Sequence, residues 1–218
     1  MLPSFDQIVL GVTERTGLTS FDDIRKQKYP LRVSLRGPEG NSVPLVANEI
    51  CKAYGFTLDD IVSWGGEVSY FRRLPGARLP DIEKDEADAI FDEAVRHWVG
   101  PGAAMGMRFL PIGDDAIARL EPLGLRRGPV LRSDFPNLPA DFQSVDFSGF
   151  PIFTNANVPD DQVTAICAAL VARKANIPWE GTGPLPLERM CIDNREGPID
   201  VPLHPAAEAF WRAEGYLN

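Results

Sequence analysis

Histidine and cysteine are scarce in this sequence of 218 residues, which has two histidines and three cysteines. Cys51, Cys167 and Cys191 are too few for a disulfide scaffold and lack the spacing of metal ligands. Cys51 and Cys167 fall within helical patterns, where a free thiol behaves as a small apolar group. His97 and His204 lie far apart in sequence, and a metal site needs more converging ligands. The sequence therefore predicts neither a disulfide framework nor a metal site.

Positive charge and long apolar runs are also in short supply. Lys and Arg total 22 against 31 Asp and Glu, which gives a formal net charge of −9. This charge repels nucleic-acid backbones and anionic membranes, so we expect no nucleic-acid partner. No apolar run is long enough to span a bilayer, and the residues after Met1 do not form a signal peptide. Two alternatives follow: a cytoplasmic protein, or a mature or truncated form of an exported one.

Sequence signatures of catalysis are missing as well. There is no Gly-x-Ser-x-Gly elbow and no Cys/His nucleophile signature. The glycines do not follow the pattern of a nucleotide phosphate loop or of a dinucleotide fingerprint. We therefore predict that the chain is not an enzyme and that it uses no cofactor.

Apolar runs and helical patterns alternate along the chain. This alternation predicts an α/β fold built on a largely parallel sheet. The helix signals are a capping residue followed by apolar residues three and four apart. Strands are predicted at 5–12, 31–35, 61–64, 87–91 and 107–112, with a further extended run at 149–154. Helices are predicted from Ser20, from Asn41 or Ser42 to about 55, and at 116–123, 160–171, 187–190 and 205–214.

The prolines indicate how the chain divides into lobes. Pro136, Pro139 and Pro151 interrupt the region after residue 130. Strand and helix patterns alternate regularly before that residue but not after it. We predict one ligand-binding lobe at 13–131 and a second lobe assembled from 1–12 and 132–218.

The turn after the second predicted strand is the first candidate site. It contains Arg36, Gly37, Gly40, Asn41 and Ser42 and leads directly into a helix. Free amides at the start of a helix favour an anion, so a carboxylate or phosphate is the functional interpretation. An ordinary tight turn is the alternative.

Three further residues follow predicted strands. An indole beside glycine, as at Trp64 and Gly65, lets a ligand approach the backbone closely, and a core tryptophan next to a turn is the alternative. Glu93 lies after the strand at 87–91, at the carboxyl end where ligands of open α/β sheets lie. It would contact a cationic group of the ligand; a solvated helix-start carboxylate is the alternative.

Several segments, taken in order, resemble the TAXI family of solute-binding proteins for TRAP transporters. Residues 33–42 (VSLRGPEGNS) are similar to that family's VSLGPPGSGT segment, and 88–91 (DAIF) to its DAFF strand. Residues 108–112 (RFLPI) are similar to its RLLPI strand, and 158–161 (VPDD) to the opening of one of its helices. The most specific likeness is 203–207 (LHPAA), which resembles the family's C-terminal LHPGA segment.

The resemblance implies a periplasmic-binding-protein type II fold, with one complete doubly wound lobe and an incomplete second lobe. It implies a periplasmic receptor that captures a small anionic metabolite or amino acid in a cleft between the lobes and delivers it to a TRAP permease. Gly37, Gly40, Asn41 and Ser42 would line that cleft, with Trp64, Gly65 and Glu93. The likeness also gives His204 a structural role at a helix start.

Departures from the family leave other hypotheses open. The chain begins at what resembles the crossover strand of the family, and an incomplete lobe exposes sheet edge, which predicts a homodimer. One alternative function is an enzyme on the same fold, such as a decarboxylase, with Glu93 or His97 as the acid–base group. The other is a cytoplasmic ligand-binding remnant without a transport role.

Overall fold

The computed structural model describes residues 1–199 and 201–217, and these divide into two units. The larger unit is Asp6–Phe147, and the smaller combines Met1–Phe5 with Ser148–Asn218. The larger unit is longer at both ends than the predicted lobe at 13–131, because strands on either side of those limits belong to its sheet. Asp200 and Asn218, which fall in the second predicted lobe, lie outside the described residues.

All the strands that the structure describes belong to one sheet of the larger unit. They are β1 (Gln7–Val12), β2 (Arg32–Arg36), β3 (Glu67–Phe71), β4 (Ala89–Asp92), β5 (Arg108–Leu110), β6 (Arg127–Val130) and β7 (Phe142–Asp146). Their spatial order is β3-β2-β4-β1-β7-β6, and β5 pairs with β1 beside β7. Strands with helices between them confirm the predicted α/β class.

The sheet is mixed, so the prediction of a largely parallel sheet is wrong. Strand β2 pairs in parallel with β3 and β4. Strand β1 runs antiparallel to β4, β5 and β7, and β6 runs antiparallel to β7. The error arose because β1 lies in the middle of the sheet and runs opposite to β4. Nothing in the local sequence of β1 indicates the direction of the strand.

Helices of the larger unit pack their apolar residues against this sheet. They are α1 (Phe21–Gln27), α2 (Ser42–Ala53), α3 (Leu58–Ser63), α4 (Leu79–Glu83), α5 (Val99–Ala104) and α6 (Asp114–Leu120). Every residue of β1 is buried. A strand buried on both faces reads as a continuous apolar run, which is why β1 was predictable.

Two of these helices begin where the capping residues predict. The Ser20 hydroxyl accepts a hydrogen bond from the Asp23 amide at 3.1 Å, and the Asp23 carboxylate accepts one from the Ser20 amide at 2.9 Å. At the start of α2, the Asn41 side chain accepts a hydrogen bond from the Val43 amide at 3.2 Å. Each cap satisfies amides that the first helical turn leaves without partners.

The strand predicted at 61–64 is wrong, because these residues end helix α3. Thr57 and Asp60 form a capping box that starts the helix, with the Asp60 amide 3.0 Å from the Thr57 hydroxyl. Leu58 and Ile61, three residues apart, form its buried face. Three apolar residues in a run of four, Ile61, Val62 and Trp64, fit a strand or a helix equally well, and the upstream cap decides between them.

The smaller unit is built from helices around its own core. They are α7 (Asp160–Arg173), α8 (Leu187–Met190) and α9 (Pro205–Ala213), close to the predicted positions. Val163, Cys167 and Trp211 belong to the core of this unit. The extended run predicted at 149–154 forms no strand; its one bridge among the described residues joins Phe150 to Leu2.

Candidate functional site

The ends of β2 and β4 lie side by side at one edge of the sheet. The two strands are parallel neighbours, with Val33 opposite Ala89 and Leu35 opposite Phe91. The residues that follow them, Arg36 on β2 and Asp92 on β4, therefore reach the same edge. We call it the carboxyl edge, and it is the edge at which ligands of open α/β sheets bind.

The turn from β2 into α2 is exposed and held by backbone hydrogen bonds. Gly37 has a positive φ of 82°, and its amide donates to the Phe71 carbonyl at the end of β3 at 2.6 Å. The Asn41 amide donates to the Pro38 carbonyl at 2.8 Å. Because Asn41 also caps α2, the turn holds Gly40 and Ser42 at the start of a twelve-residue helix.

Arg36 and Glu93, both predicted site residues, meet at the carboxyl edge. Their side chains form an ion pair, and the Arg36 Nε lies 3.4 Å from a carboxylate oxygen of Asp92. The side chain of Arg36 is 20% exposed and that of Glu93 is 14% exposed, whereas Asp92 is fully buried. Solvent therefore reaches the ion pair of Arg36 and Glu93 but not the carboxylate of Asp92.

A second ion pair, between Arg78 and Asp92, lies fully buried beneath the first. The Arg78 Nη1 also donates to the Ser34 hydroxyl at 2.7 Å. Burial raises the pKa of Asp92 to about 7, although Arg78 and Arg36 lower it. Burial likewise lowers the pKa of Arg78 to about 10, so the guanidinium keeps its charge at neutral pH.

Asp6, just before β1, fixes the loop after β4. Its carboxylate accepts hydrogen bonds from the amides of Ala94 at 3.0 Å, Val95 at 3.1 Å and Gln7 at 2.9 Å. Burial raises the pKa of Asp6, while these amides and the charge of Arg36 lower it. Asp6 therefore holds the backbone next to Glu93 in place.

Trp64 and Gly65 lie away from this cluster. Trp64 ends α3, and Gly65, with a φ of 95°, leads into β3. The first residue of β3, Glu67, pairs with Arg32 at the start of β2. Trp64 and Gly65 are therefore at the opposite edge from Arg36, where the Trp64 ring packs 5.8 Å from that of Phe56. The prediction that they follow a strand is wrong.

The two histidines take no part in the carboxyl edge. His97 is exposed, at the end of a 3-10 turn. The His204 Nδ1 accepts a hydrogen bond from the Ala206 amide at 3.2 Å and caps α9. The structural role of His204 at a helix start is confirmed.

Sequence reasoning missed Asp6 and Arg78. Arg78 lies between two prolines, Pro75 and Pro80, in a segment without periodicity, and its partner is fixed only by the fold. Asp6 carried a weak signal, a carboxylate at the start of an apolar strand. Among residues 1–199 and 201–217, no three His, Cys, Asp or Glu residues are grouped to hold a metal ion. In the same part of the chain, no helix has the length and apolar character to cross a membrane.

Comparison with known proteins gives similarity to solved structures only. No protein-family model matches the chain, and no curated protein does. The second substrate-binding domain of a putative amino acid ABC transporter from Streptococcus pneumoniae Canada MDR_19A is 14% identical, over 56% of this chain and 58% of that one, with a TM-score of 0.32. The alkanesulfonate-binding protein SsuA from Xanthomonas axonopodis pv. citri, bound to MOPS, is 10% identical, over 84% of this chain and 72% of that one, with a TM-score of 0.38. The chain thus spans 58% of the length of the first of these relatives.

Proposed function

We propose that the chain is a solute-binding protein that holds a small organic acid or amino acid at the carboxyl edge. The observation that carries the proposal is the meeting of Arg36 and Glu93 at the carboxyl edge, where β2 leads through an exposed turn into α2. An exposed turn, a guanidinium and a helix start at one place are suited to a carboxylate. The resemblance to the TAXI family supports the finer proposal, a periplasmic receptor that serves a TRAP permease.

The ion pair suggests how a ligand would be held. A carboxylate of the ligand would replace the Glu93 carboxylate on Arg36, and the polar groups of Gly40, Asn41 and Ser42 would contact the same anion. Glu93 would then accept the ammonium group of an amino acid. Beneath them, the buried pair of Arg78 and Asp92 fixes the ends of the two strands.

Calorimetric titration of the full chain with dicarboxylates, amino acids and aromatic acids tests the proposal. We expect one member to bind saturably without turnover. Arg36→Met should weaken its binding about 10- to 100-fold, the effect of losing a charged hydrogen bond. Arg25→Met is the matched control, because Arg25 is exposed and pairs with Asp22, three residues before it, at 3.0 Å. No binding across the panel, or equal losses in the two variants, would reject this site.

Two further variants separate the ligand classes and the sites. Glu93→Gln should weaken an amino acid and strengthen a dicarboxylate, because it removes a negative charge next to Arg36. Trp64→Phe should leave binding unchanged, since Trp64 lies at the opposite edge. Conversion of the ligand during the titration would instead support the enzymatic alternative, with Glu93 or His97 as the acid–base group.

A further inference from the structure

Asp92 lies in the sheet between Arg36, which would hold the ligand, and the central strand. Arg36 and Asp92 directly follow a register pair of the parallel strands β2 and β4, so they are neighbours on one face of the sheet. On its other side, Asp92 pairs with Val9 of β1. The Arg36 Nε lies 3.4 Å from a carboxylate oxygen of Asp92. A ligand carboxylate on Arg36 would therefore come close to a second, buried carboxylate.

The charged groups around Asp92 already carry a surplus of negative charge. Arg36 and Arg78 both pair with Asp92. Glu93 pairs with Arg36, and the charge of Asp6 raises the pKa of Asp92. We call these five residues the edge cluster; it has two guanidinium groups and three carboxylates. An anion bound at Arg36 would add at least one more negative charge, and carboxylates that share a buried site cannot all ionise.

Charges farther from Asp92 do not offset this surplus. Arg73 lowers and Asp81 raises the pKa of Arg78, but the two side chains pair with each other at 2.5 Å and add no net charge to the edge cluster. At the other end of β4, Asp88 pairs with Arg32 at 2.7 Å and with Arg15 at 3.1 Å. An anion at the carboxyl edge is therefore best accommodated by a proton taken up within the edge cluster.

Of the three carboxylates, that of Asp92 is best placed to take up the proton. Its side chain is fully buried, whereas that of Glu93 is 14% exposed. Asp6 accepts hydrogen bonds from three backbone amides, and such bonds favour the charged form of a carboxyl group. Asp92 accepts one from the amide of Glu93, at 2.8 Å. Burial raises the pKa of Asp92 to about 7, so this carboxyl group is close to taking up a proton at neutral pH.

We propose that the carboxyl edge binds an anion together with one proton, which the carboxyl group of Asp92 holds. The inference rests on the proposed solute-binding function and adds what the site binds along with the anion. A like charge about 5 Å away in a partly buried site strengthens proton binding on the order of 100-fold. The anion-bound chain should therefore keep its proton on Asp92 at a pH at which the free chain has lost it.

Proton uptake determines how the affinity for an anion depends on pH. In the free chain, Asp92 loses its proton as the pH rises through about 7, whereas in the anion-bound chain it keeps it. Each pH unit above 7 should therefore weaken anion binding by up to tenfold. Well below pH 7, Asp92 is protonated with or without the anion, so it should no longer make the affinity depend on pH.

Calorimetric titration of the full chain with succinate, from pH 7.5 to pH 8.5, tests the proposal. Tris and triethanolamine are suitable buffers, because both are cationic and do not compete with an anion. Their heats of ionisation differ, so the heats of binding in the two buffers count the protons taken up. We expect close to one proton for each succinate bound, and a Kd that rises about five- to tenfold over this range.

Three variants locate the anion and the proton. Arg36→Met should weaken succinate binding about 10- to 100-fold, which places the anion at the carboxyl edge. Asp92→Asn is close in shape and cannot titrate, so the proton uptake and the dependence of the Kd on pH should both disappear. Asp22→Asn is the matched control, because Asp22 is exposed and lies 3.0 Å from Arg25; it should preserve both.

The outcomes separate this inference from the function on which it rests. Succinate that does not bind, or that binds equally well to Arg36→Met, would reject the anion site and the inference with it. Binding that Arg36→Met weakens but that takes up no proton would overturn the inference alone. Proton uptake that persists in a folded Asp92→Asn chain would do the same. The proton count in the natural chain needs no variant, so it decides even if Asp92→Asn does not fold.

Discussion

The charged side chain of Arg78 is fully buried. It lies in a buried ion pair with Asp92 and also donates to the Ser34 hydroxyl. The desolvation cost of such a pair is repaid only while both charges are present. Arg78 and Asp92 thus form one unit, on which the more exposed pair of Arg36 and Glu93 rests.

Removing one member of this ion pair should lower the free energy of unfolding more than removing both members. At pH 8, where most of Asp92 is ionised in the folded chain, we expect Arg78→Leu and Asp92→Leu each to lower the free energy of unfolding by about 3–5 kcal/mol, because each leaves a buried charge without its partner. The double variant, which removes both charges, should lose less free energy of unfolding than either single variant. Urea denaturation of the three variants measures this. Additive losses would show that the pair is not a unit.

The raised pKa of Asp92 also predicts how stability depends on pH. Its value in the folded chain, about 7, lies above its ordinary value of 3.8. The folded chain therefore binds this proton more tightly than the unfolded chain does. Asp92 contributes fully to the free energy of unfolding below about pH 4, and this contribution is lost as the pH rises through 7.

Denaturation of the natural chain and of Asp92→Asn between pH 4 and pH 8 isolates this contribution. The free energy of unfolding of the natural chain, relative to the variant, should fall with a slope of at most about 1.4 kcal/mol per pH unit. Subtraction removes the contributions of other carboxylates, such as Asp88, whose pKa is lowered by Arg32 and Arg15. A difference that does not change with pH would contradict the assigned pKa.

Among the elements, the turn from β2 to α2 depends on one glycine. A Cβ on Gly37 would lie 2.7 Å from the side chain of Asn41, at a φ that other residues rarely adopt. A Cβ on Gly40, three residues later, would meet nothing within 4 Å. The turn therefore has room for an added side chain at Gly40 but not at Gly37.

This difference predicts opposite effects of the same substitution. Gly37→Ala should lower the free energy of unfolding by about 1–3 kcal/mol, because the backbone is strained and the Asn41 cap is displaced. Gly40→Ala should leave it unchanged or raise it by about 0.4–1 kcal/mol, because it restricts the unfolded chain. Thermal and urea denaturation measure both. Equal losses would show that the turn does not have the described conformation.

Elements with local signals could be predicted from the sequence, and elements without them could not. Helix α2 has an Asn41 cap and α9 has a Pro205 start, and both were predicted. Strand β3 was missed although its first four residues, 67–70, alternate between polar and apolar, because so short an alternation is a weak signal beside the apolar residues at 61–64. The same limit applies to the site: Arg36 and Glu93 follow strands, whereas Arg78 reaches Asp92 only through tertiary packing.

At the scale of the whole molecule, the edge of the sheet at β3 bears on the predicted homodimer. The backbone of β3 bonds to its neighbour through the Glu67 amide and the Phe71 carbonyl. Residues alternate along a strand, so the backbone groups of Val68 and Tyr70 point away from β2, the side on which another chain would add a strand. The edge at β6 carries Pro129, which weakens pairing there.

If the homodimer forms, we expect it to use β3 of both copies. Light scattering should then give twice the mass of 24.0 kDa. Tyr70→Pro should restore the single mass, because it removes an outward amide. Val62→Ser, on the exposed side of α3, is the control and should leave the doubled mass unchanged. A single mass in the natural chain at all concentrations would contradict the dimer.

The position of β1 in the sheet has a consequence for synthesis on the ribosome. Strand β1 emerges first among the strands described, yet its neighbours β4, β5 and β7 all follow it, the last at residue 146. At about 5–20 residues per second, roughly 4–16 s pass between the emergence of β1 and that of β4. Throughout that interval the longest fully buried strand of the sheet has no native partner, and it is a segment for chaperones to shield.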